Sequence, residues 1–471
     1  MTPLITIENW DRGMVPSPFQ DIQGSGQLFQ SLDPWTEPGY LKCANANAKD
    51  SGSTVDGLVN FALEYNGDLY FYGTKLYRLS SSWAVEGTDG QTGPGLGLGQ
   101  LYDTADSKTY IYFASQADIG RYDPAADAFD DNWLTAVKSG TIDTDTKYHP
   151  MQLWDNTLFI GAGRYIASLT SGATYTQRAL TLPANLRVTS LAVIGDMLAI
   201  GTTAVPNSSN VLSRKSPVFF WDGTSAQFNK MLTVNERYIK ALFVDENFLY
   251  AFAQTRGGTI YVYNGIRFEI LRHMPNPGQD VINFYPGGVT RHRDGIHFAV
   301  SHGDTAGEIK AGIWSLSRKR AGEPLALEFK HVISTTRTDN TITLGAIIDG
   351  NNGLFVGWKD TTDSTTYGVD DQSGLATGYF ESQLFSFNNS NKIDFKGVEI
   401  EAKTLPSSTT IAINYKIDND SSWTTAIVYK SSPNNQTDFA PINRSGRKIQ
   451  IQAVLTPSGS SNVSLQKIMV F

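Results

Sequence analysis

The stretch ALEYNGDLYFYG (62–73) contains the unit from which most of this chain is built: a strand, a tight polar turn and a second strand. Asn-Gly tolerates the positive φ angles of a two-residue turn, and the flanking residues alternate with the period of a strand, so the unit is predicted to be a β-hairpin. Six related units follow: LYDTADSKTYIYFAS (101–115), MQLWDNTLFIGAG (151–163), LAVIGDMLAIGTT (191–203), ALFVDENFLYAFAQ (241–254), VTRHRDGIHFAVSH (289–302) and GAIIDGNNGLFVGWK (345–359).

The seven units recur at intervals of 40 to 57 residues between their turn centres. Repeats of this length that consist of short strands are typical of a β-propeller, in which each repeat forms one blade. Aromatic pairs follow most of the hairpins, as Tyr263 and Phe268 do, and are predicted to pack between neighbouring blades. We therefore predict an all-β fold with a propeller of seven blades; six or eight blades are the alternatives.

The composition agrees with an all-β fold and excludes several classes of protein. Of the 471 residues only 18% are charged, and 43 are glycine, which argues against helix bundles and coiled coils. The formal net charge of -8 argues against a globally basic nucleic-acid binder, so no direct contact with nucleic acid is expected. The single cysteine, Cys43, cannot form an internal disulfide and is expected to be a buried or partly buried thiol.

The hairpin pattern defines the predicted domain boundaries. Residues 46–376 are assigned to the propeller, and residues 377–471, with six β-type segments between Pro, Ser, Asn and Gly turns, are predicted to form a β-sandwich of jelly-roll type. Residues 1–45 are rich in proline and glycine and form an N-terminal arm. Because a closed propeller needs a terminal strand to complete its last sheet, the arm is predicted to close the ring partly, through residues 40–44 or the ITIE stretch (5–8).

The opening IENWDRGMVPSPFQDIQGSGQLFQSLDPWTEPGYLK (7–42), the repeated hairpins and the closing run that begins GYFESQLFSF (378–387) resemble virion structural proteins of tailed bacteriophages. The resemblance covers nearly the whole chain and implies the order arm, propeller, sandwich. It implies a non-enzymatic component of the tail, neck or fibre base, located in the virion in several copies. Portal, tail, neck or fibre subunits would be its partners.

Two parts of the sequence supply candidate residues for contact with such partners: the arm, and a basic cluster near the sixth hairpin. The candidates are Trp10, Arg12, Arg291, Arg293, Arg318, Lys319 and Arg320. The basic cluster is the strongest local positive charge in an acidic chain, although a solvated loop tip would have the same composition. The sequence shows no basic leader followed by an apolar segment, and no run of about 18 apolar residues, so synthesis in the host cytoplasm without a signal peptide or membrane span is expected.

No motif predicts a catalytic, cofactor-binding or metal-binding residue. The Ser-x-Asp-x-Gly-x-Thr-Trp box of sialidase propellers, the G-x-S-x-G elbow and the P-loop are missing from the sequence. His292, His297 and His302 lie five residues apart, a spacing that places successive side chains on opposite faces of a strand. They are not expected to converge on a metal ion, although His292 and His297 could approach across the intervening turn.

Two other functions remain open at this point. A propeller that recognises host-surface glycans is the alternative function, and it would need the same exposed aromatic and polar partners in most repeats. Aromatic residues recur in the repeats, but polar partners do not. An enzyme that acts on host polysaccharide is the third possibility, for which the acidic loop residues, such as Asp245 and Glu246, show no recognisable paired-carboxylate pattern.

Overall fold

The computed structural model describes the chain apart from a set of short segments. These segments are residues 1, 11, 15–24, 86–93, 117, 205–214, 256, 275–281, 294, 303–310, 319–324, 335–341, 352, 362–364, 388–391 and 431–438. The described residues form strands and one short π-helical segment, Trp133–Val137. None of the described segments is a helix with the length and apolar character needed to cross a membrane.

Six strands precede the first blade, and they belong to four different sheets. They are β1 (Ile5–Ile7), β2 (Gly13–Met14), β3 (Ser25–Gln30), β4 (Leu32–Asp33), β5 (Lys42–Cys43) and β6 (Asn45–Lys49). β1 pairs with the last strand of the chain, β2 and β3 pair with each other, β4 pairs with β5, and β6 belongs to the propeller.

Seven antiparallel blades follow within the described residues, and the predicted seven-bladed propeller is confirmed. Blade 1 consists of β7 (Phe61–Tyr65), β8 (Asp68–Tyr72), β9 (Leu76–Leu79) and β10 (Trp83–Val85). Blade 2 consists of β11 (Gly97–Asp103), β12 (Lys108–Ala114), β13 (Ile119–Asp123) and β14 (Ala128–Asp130). Blade 3 consists of β15 (Met151–Trp154), β16 (Thr157–Ala162), β17 (Tyr165–Thr170) and β18 (Tyr175–Thr181). Blades 4 and 5 consist of β19 (Leu186–Ile194), β20 (Met197–Ala204), β21 (Ser216–Trp221) and β22 (Lys230–Val234); and β23 (Tyr238–Asp245), β24 (Phe248–Gln254), β25 (Gly258–Tyr263) and β26 (Phe268–His273).

The last two blades depart from the simple four-strand order. Blade 6 consists of β27 (Ile282–Asn283), β28 (Val289–His292), β29 (Gly295–His302), β30 (Gly312–Ser317) and β31 (Ala326–Val332), and blade 7 of β32 (Ile342–Gly350), β33 (Gly353–Asp360) and β34 (Thr366–Leu375). In blade 6 the short strands β27 and β28 both pair with β29. Blade 7 takes its fourth strand from the segment that precedes blade 1, because β6 pairs antiparallel with β34.

The ring is closed by β6, so the prediction that residues 40–44 or the ITIE stretch close it is wrong. Lys49 lies opposite Asp370 in the closing pair. Within residues 40–44, Leu41 instead bridges to Leu465, while β5 pairs with β4. The NANAK sequence of β6 alternates polar residues with alanine only, so it lacks the large apolar side chains of the hairpin strands, and none of its residues is fully buried.

The C-terminal strands form two sheets. They are β35 (Gly378–Ser382), β36 (Phe385–Ser386), β37 (Ile393–Ala402), β38 (Thr410–Ile417), β39 (Thr424–Lys430), β40 (Ala440–Gly446), β41 (Lys448–Thr456) and β42 (Leu465–Val470). One sheet has the order β1-β42-β37-β40, and the other contains β35-β41-β38-β39, with β36 also paired to β41. If β1 is counted as the first strand and β35 with β36 as the second, the orders are 1-8-3-6 and 2-7-4-5, the double Greek key of a jelly roll.

The predicted jelly roll is therefore confirmed, but its first strand comes from the N-terminal arm. The propeller is inserted between the first and second strands of the jelly roll. The predicted order of arm, propeller and sandwich did not include this insertion. β3 connects the two units, because it pairs with β35 and, through Gln30 and Phe329, with β31 of blade 6. A single apolar cluster extends across this junction, from Ile451 of the jelly roll through Phe29 to Trp314 of blade 6.

Cys43 lies at the same junction and is 2% exposed, which confirms the expected buried thiol. Burial raises the pKa of the Cys43 thiol to about 12. The side chain of Asn462 brackets the residue: its Oδ1 accepts from the backbone N–H of Cys43 at 2.9 Å, and its Nδ2 donates to the backbone oxygen at 2.8 Å. The thiol is consequently a structural group with little nucleophilic character.

Candidate functional site

The arm residue Trp10 lies in the core and not on a docking surface. Its side chain is 2% exposed, and its ring meets the ring of Phe380 edge to face, with centroids 5.0 Å apart. Trp10 Nε1 donates to the main-chain oxygen of Gln466 at 3.1 Å. Arg12, the other candidate of the arm, is exposed.

The basic candidates of blade 6 lie against acidic residues of blade 5. Arg291 forms an ion pair with Asp245, and its Nη2 lies 3.6 Å from Oε1 of Glu246. Arg318 also pairs with Glu246. The structure thus brings Arg291 and Arg318 to one pair of carboxylates that connects two blades. Arg293 is exposed, and Lys319 and Arg320 lie outside the described residues.

Two of the three histidines singled out in the sequence lie close together, as the turn between them allows. The rings of His292 and His297 are 5.4 Å apart, and that of His331 lies 6.4 Å beyond His297. Nδ1 of His292 lies 2.8 Å from Oδ1 of Asp349 on blade 7. In the described part of the chain, no group of three or more His, Cys, Asp or Glu side chains could hold a metal ion. His302 ends β29, and its side chain is outside the described part.

A buried polar cluster surrounds these histidines where the arm meets blades 6 and 7. Trp35 Nε1 donates to Oε2 of Glu328 at 3.0 Å, and Lys330 Nζ lies 3.7 Å from both Glu328 and Asp33. Burial acts to raise the pKa of Asp33, but the charge of Lys330 and hydrogen bonds from Thr36 and Trp35 leave that pKa below its ordinary value. The adjoining cavity, of about 40 Å³, has room for only a few water molecules. We interpret this cluster as the polar attachment of the arm to the propeller.

A much larger cavity, of about 430 Å³, lies between the segment that leads into blade 3 and the inner strands of blades 4 and 5. We call it the funnel. Its walls carry the basic residues Lys147, Arg187 and Lys240, together with Asp145, Tyr148, Thr189, Thr203, Tyr238 and Gln254. This size lies in the range of small-molecule pockets, about 300 to 1,000 Å³.

Two funnel residues occupy matching irregularities in neighbouring blades. The β19–β20 register shifts between Val188 and Ser190, which leaves Thr189 unpaired, and the β23–β24 register shifts between Ile239 and Ala241, which leaves Lys240 unpaired. Such bulges redirect the side chain of the extra residue. Thr189 donates to the main-chain oxygen of Ile239 at 2.6 Å, so the two bulges are also bonded to each other.

The charge in the funnel is unevenly balanced. Asp145 pairs with Arg187. Burial, with a smaller contribution from the charge of Lys147, lowers the pKa of Lys240 to about 8. Lys240 Nζ lies 5.5 Å from the ring centroid of Tyr238, a cation–π distance. The funnel can therefore receive a negatively charged group.

Sequence reasoning did not identify the funnel, because Lys147 and Lys240 come from different repeats and belong to no motif. A comparison of the repeats does contain a signal. Lys240 occupies the place in its repeat that Thr189 occupies in the preceding one, five residues before Asp245 and Ile194 respectively. The preceding repeat has a small polar residue at this inner-strand position, so the lysine in its place is the signal that could have predicted the site.

No protein-family model matches this chain, and no curated protein matches it. Among solved structures, the extracellular domain of a one-component system from B. thetaiotaomicron is similar with a TM-score of 0.44 and 12% identity, over 88% of this chain and 47% of that chain. This chain thus spans about half the length of that relative.

Two β-propeller domains are similar at the same level. The WD40 β-propeller domain of Doa1 has a TM-score of 0.44 and 12% identity, over 70% of this chain and 98% of that chain. The β-propeller domain of Cps50 (Swd1) from Myceliophteria thermophila has a TM-score of 0.43 and 9% identity, over 69% of this chain and 99% of that chain. Identities this low extend the likeness to nothing beyond the fold.

Proposed function

We propose that this chain is a non-enzymatic structural protein of a tailed-phage virion, a rigid adaptor that docks neighbouring subunits in the tail, neck or fibre base. The observation that carries the proposal is the insertion of the propeller into the jelly roll. β1 precedes the propeller and β35 follows it, yet both belong to the jelly roll. Two units joined in this way hold a fixed geometry, which is what an adaptor between two subunits requires.

The sequence resemblance is the second support, since it covers the arm, the hairpins and the closing strands together. In the fold, the opening and closing segments lie together in the jelly roll, and the hairpins between them form the propeller. The opening segment IENWDRG supplies the end of β1 and the buried Trp10, and the closing segment GYFESQLFSF supplies β35 and β36.

We propose that four exposed apolar residues on blades 4 and 5 form the docking surface. Its members, which we call the blade 4/5 corner, are Met231, Phe248, Ile266 and Ile270, and Ile266 is 76% exposed. Lys230 Nζ of blade 4 lies 3.3 Å from the main-chain oxygen of Gly265 of blade 5. Met231 follows Lys230 in the sequence and Ile266 follows Gly265, so both are next to this contact between the blades. Single exposed apolar residues are ordinary, but a group of them is typical of an interaction surface.

The test of the virion role is co-purification. Phage particles from a lysate are separated on a density gradient, washed in high salt and probed with an antibody raised against the purified chain. The expected result is that the chain sediments with infectious particles. A chain found only in the soluble fraction would overturn the proposal.

The docking surface is tested separately with a double variant, Met231→Asp with Ile266→Asp, and a control, Val137→Asp. Val137 is 54% exposed and lies on the π-helical segment, away from the corner in sequence and blade. Both proteins are expected to fold, because all three changes are at exposed positions. Only the corner variant should fail to enter particles. Normal incorporation of that variant would reject the corner as the docking surface. The virion role itself would still be decided by the density-gradient experiment.

A further inference from the structure

The funnel contains more positive charge than its own carboxylate neutralises. Three basic residues and one acidic residue line it, in a chain whose formal net charge is -8. The acidic residue, Asp145, pairs with Arg187. Within the described residues, neither Lys147 nor Lys240 forms an ion pair. The two ammonium groups therefore face the cavity with only water or a ligand to balance them.

Lys240 is held in an environment that disfavours its charge. It lies on an inner strand, and burial together with the charge of Lys147 lowers its pKa to about 8. A flexible exposed lysine would avoid this cost by turning to solvent. At Lys240 the bulge sets the direction of the side chain, and the hydrogen bond from Thr189 to Ile239 holds the bulge in place. An anion beside the ammonium group would offset this cost, because opposite charges attract strongly where water is partly excluded.

Neutral polar and aromatic side chains also line the funnel. Gln116 and Thr144 are exposed lining residues, and Tyr238 contributes an aromatic ring. Small-molecule sites typically combine a few polar groups with an apolar or aromatic lining. A ligand that fits would combine an anionic group with hydroxyl groups and a small apolar face.

We propose that the funnel binds a sugar-sized organic anion, with its carboxylate or phosphate group between Lys240 and Lys147 and its hydroxyl groups toward Gln116 and Thr144. The site is independent of the virion role and of the blade 4/5 corner. It does not require a reaction, since the lysines act as charges.

The experiment is calorimetric titration of the full chain at low ionic strength with four probes: glucuronate, glucose 6-phosphate, inorganic phosphate and uncharged glucose. At least one of the two anionic sugars is expected to bind, and glucose is expected not to. Competition by inorganic phosphate would assign the phosphate as the recognised group, and binding of glucuronate alone would assign the carboxylate. No binding by either anionic sugar, or equal binding of glucose, would overturn the proposal.

Proton uptake supplies a second readout that a merely structural lysine would not give. An anion beside Lys240 raises the pKa of its ammonium group, so binding near pH 8 should take up protons, detected by repeating the titration in buffers of different ionisation enthalpy. Lys240→Gln should weaken binding at least ten-fold and abolish the uptake. Lys147→Gln, at an exposed position, should weaken binding without affecting folding, and Lys430→Gln on the jelly roll is the control. Unchanged affinity in both funnel variants would also reject the site.

Discussion

Trp10 and Gln466 are joined by a hydrogen bond of 3.1 Å, from the indole nitrogen of one to the main-chain oxygen of the other, although 456 residues separate them in the sequence. The same end of the arm contributes β1, in which Ile5 lies opposite Val470. Both ends of the chain therefore lie in the jelly roll, and the propeller is a long insertion between them. Stability of the jelly roll then depends on residues that precede the propeller.

Replacement of Trp10 by alanine should strongly destabilise the protein. The change removes a buried ring that contacts Phe380 and leaves the oxygen of Gln466 without its donor. Truncation of a buried aromatic residue costs about 3 to 5 kcal/mol. The free energy of unfolding in urea is the measurement. Leu4→Ala, at a side chain 46% exposed in the same arm, is the control and should change it by about 0.5 kcal/mol or less. Equal effects of the two changes would contradict the assigned role of Trp10.

Burial raises the pKa of both neighbours Asp370 and Asp371, but Asp370 is also held by hydrogen bonds from other side chains. The carboxylate of Asp370 accepts three hydrogen bonds, from the N–H and hydroxyl groups of Ser334 and from Trp358 Nε1, each at 2.6 Å. Asp370→Asn removes one acceptor oxygen and leaves a buried donor unpaired, which should cost about 1 to 3 kcal/mol in the free energy of unfolding.

Asp371→Asn is the matched control for that change. Burial and the nearby charge of Asp50 raise the pKa of Asp371, so loss of its charge removes a repulsion. Thermal unfolding should show a lowered transition for Asp370→Asn and an unchanged or slightly raised one for Asp371→Asn. A pair of variants with the same transition would show that the Ser334 and Trp358 contacts contribute nothing.

The repeat made the propeller predictable because every hairpin carries both signals of its structure, an alternating apolar pattern and a turn dipeptide, as in Tyr65 to Asp68. The closing strand β6 has no turn dipeptide, and its NANAK sequence alternates polar residues with alanine only, which is too weak a pattern to predict a strand. β1 has the pattern of a strand, but nothing in its sequence indicates which strand it pairs with. Its partner, β42, is more than 450 residues away. The same limit applies to the sites. Arg291 was visible as part of a basic cluster, whereas its carboxylate partner, Asp245, lies in another repeat.

Stability should fall as the medium becomes acidic, because His331 is buried in its neutral form. Its Nδ1 lies 2.9 Å from the main-chain oxygen of Asn45, to which it donates, and its Nε2 accepts from Gln372 at 3.0 Å. Burial, with a further contribution from Lys330, lowers the pKa of His331 from 6.5 to about 3. The unfolded chain therefore binds more protons than the folded one between these two values, and the contribution to stability present above 6.5 is lost as the pH falls through this window.

The slope of stability against pH is the measurement for this histidine. Each such group contributes up to about 1.4 kcal/mol per pH unit, and His297, whose pKa burial also lowers, adds to the effect. Urea unfolding from about pH 8 down to about pH 5 should show a smaller slope for His331→Gln than for the native chain. An identical slope in the His331 variant would show that the group titrates normally.

Contact between the last and first blades should make Gly345 intolerant of any side chain. A Cβ atom at this position would lie 1.9 Å from the main-chain oxygen of Val59, the same oxygen that accepts a bond from the N–H of Ala346 at 2.8 Å. Gly345→Ala must push the two blades apart, and overpacking of this kind costs about 1 to 3 kcal/mol in the free energy of unfolding. At Gly172 the nearest atom to an added Cβ is 3.9 Å away, so Gly172→Ala should be neutral or slightly stabilising. Urea unfolding of the two variants compares them directly, and a neutral Gly345→Ala would mean that blades 7 and 1 are packed less closely than this contact requires.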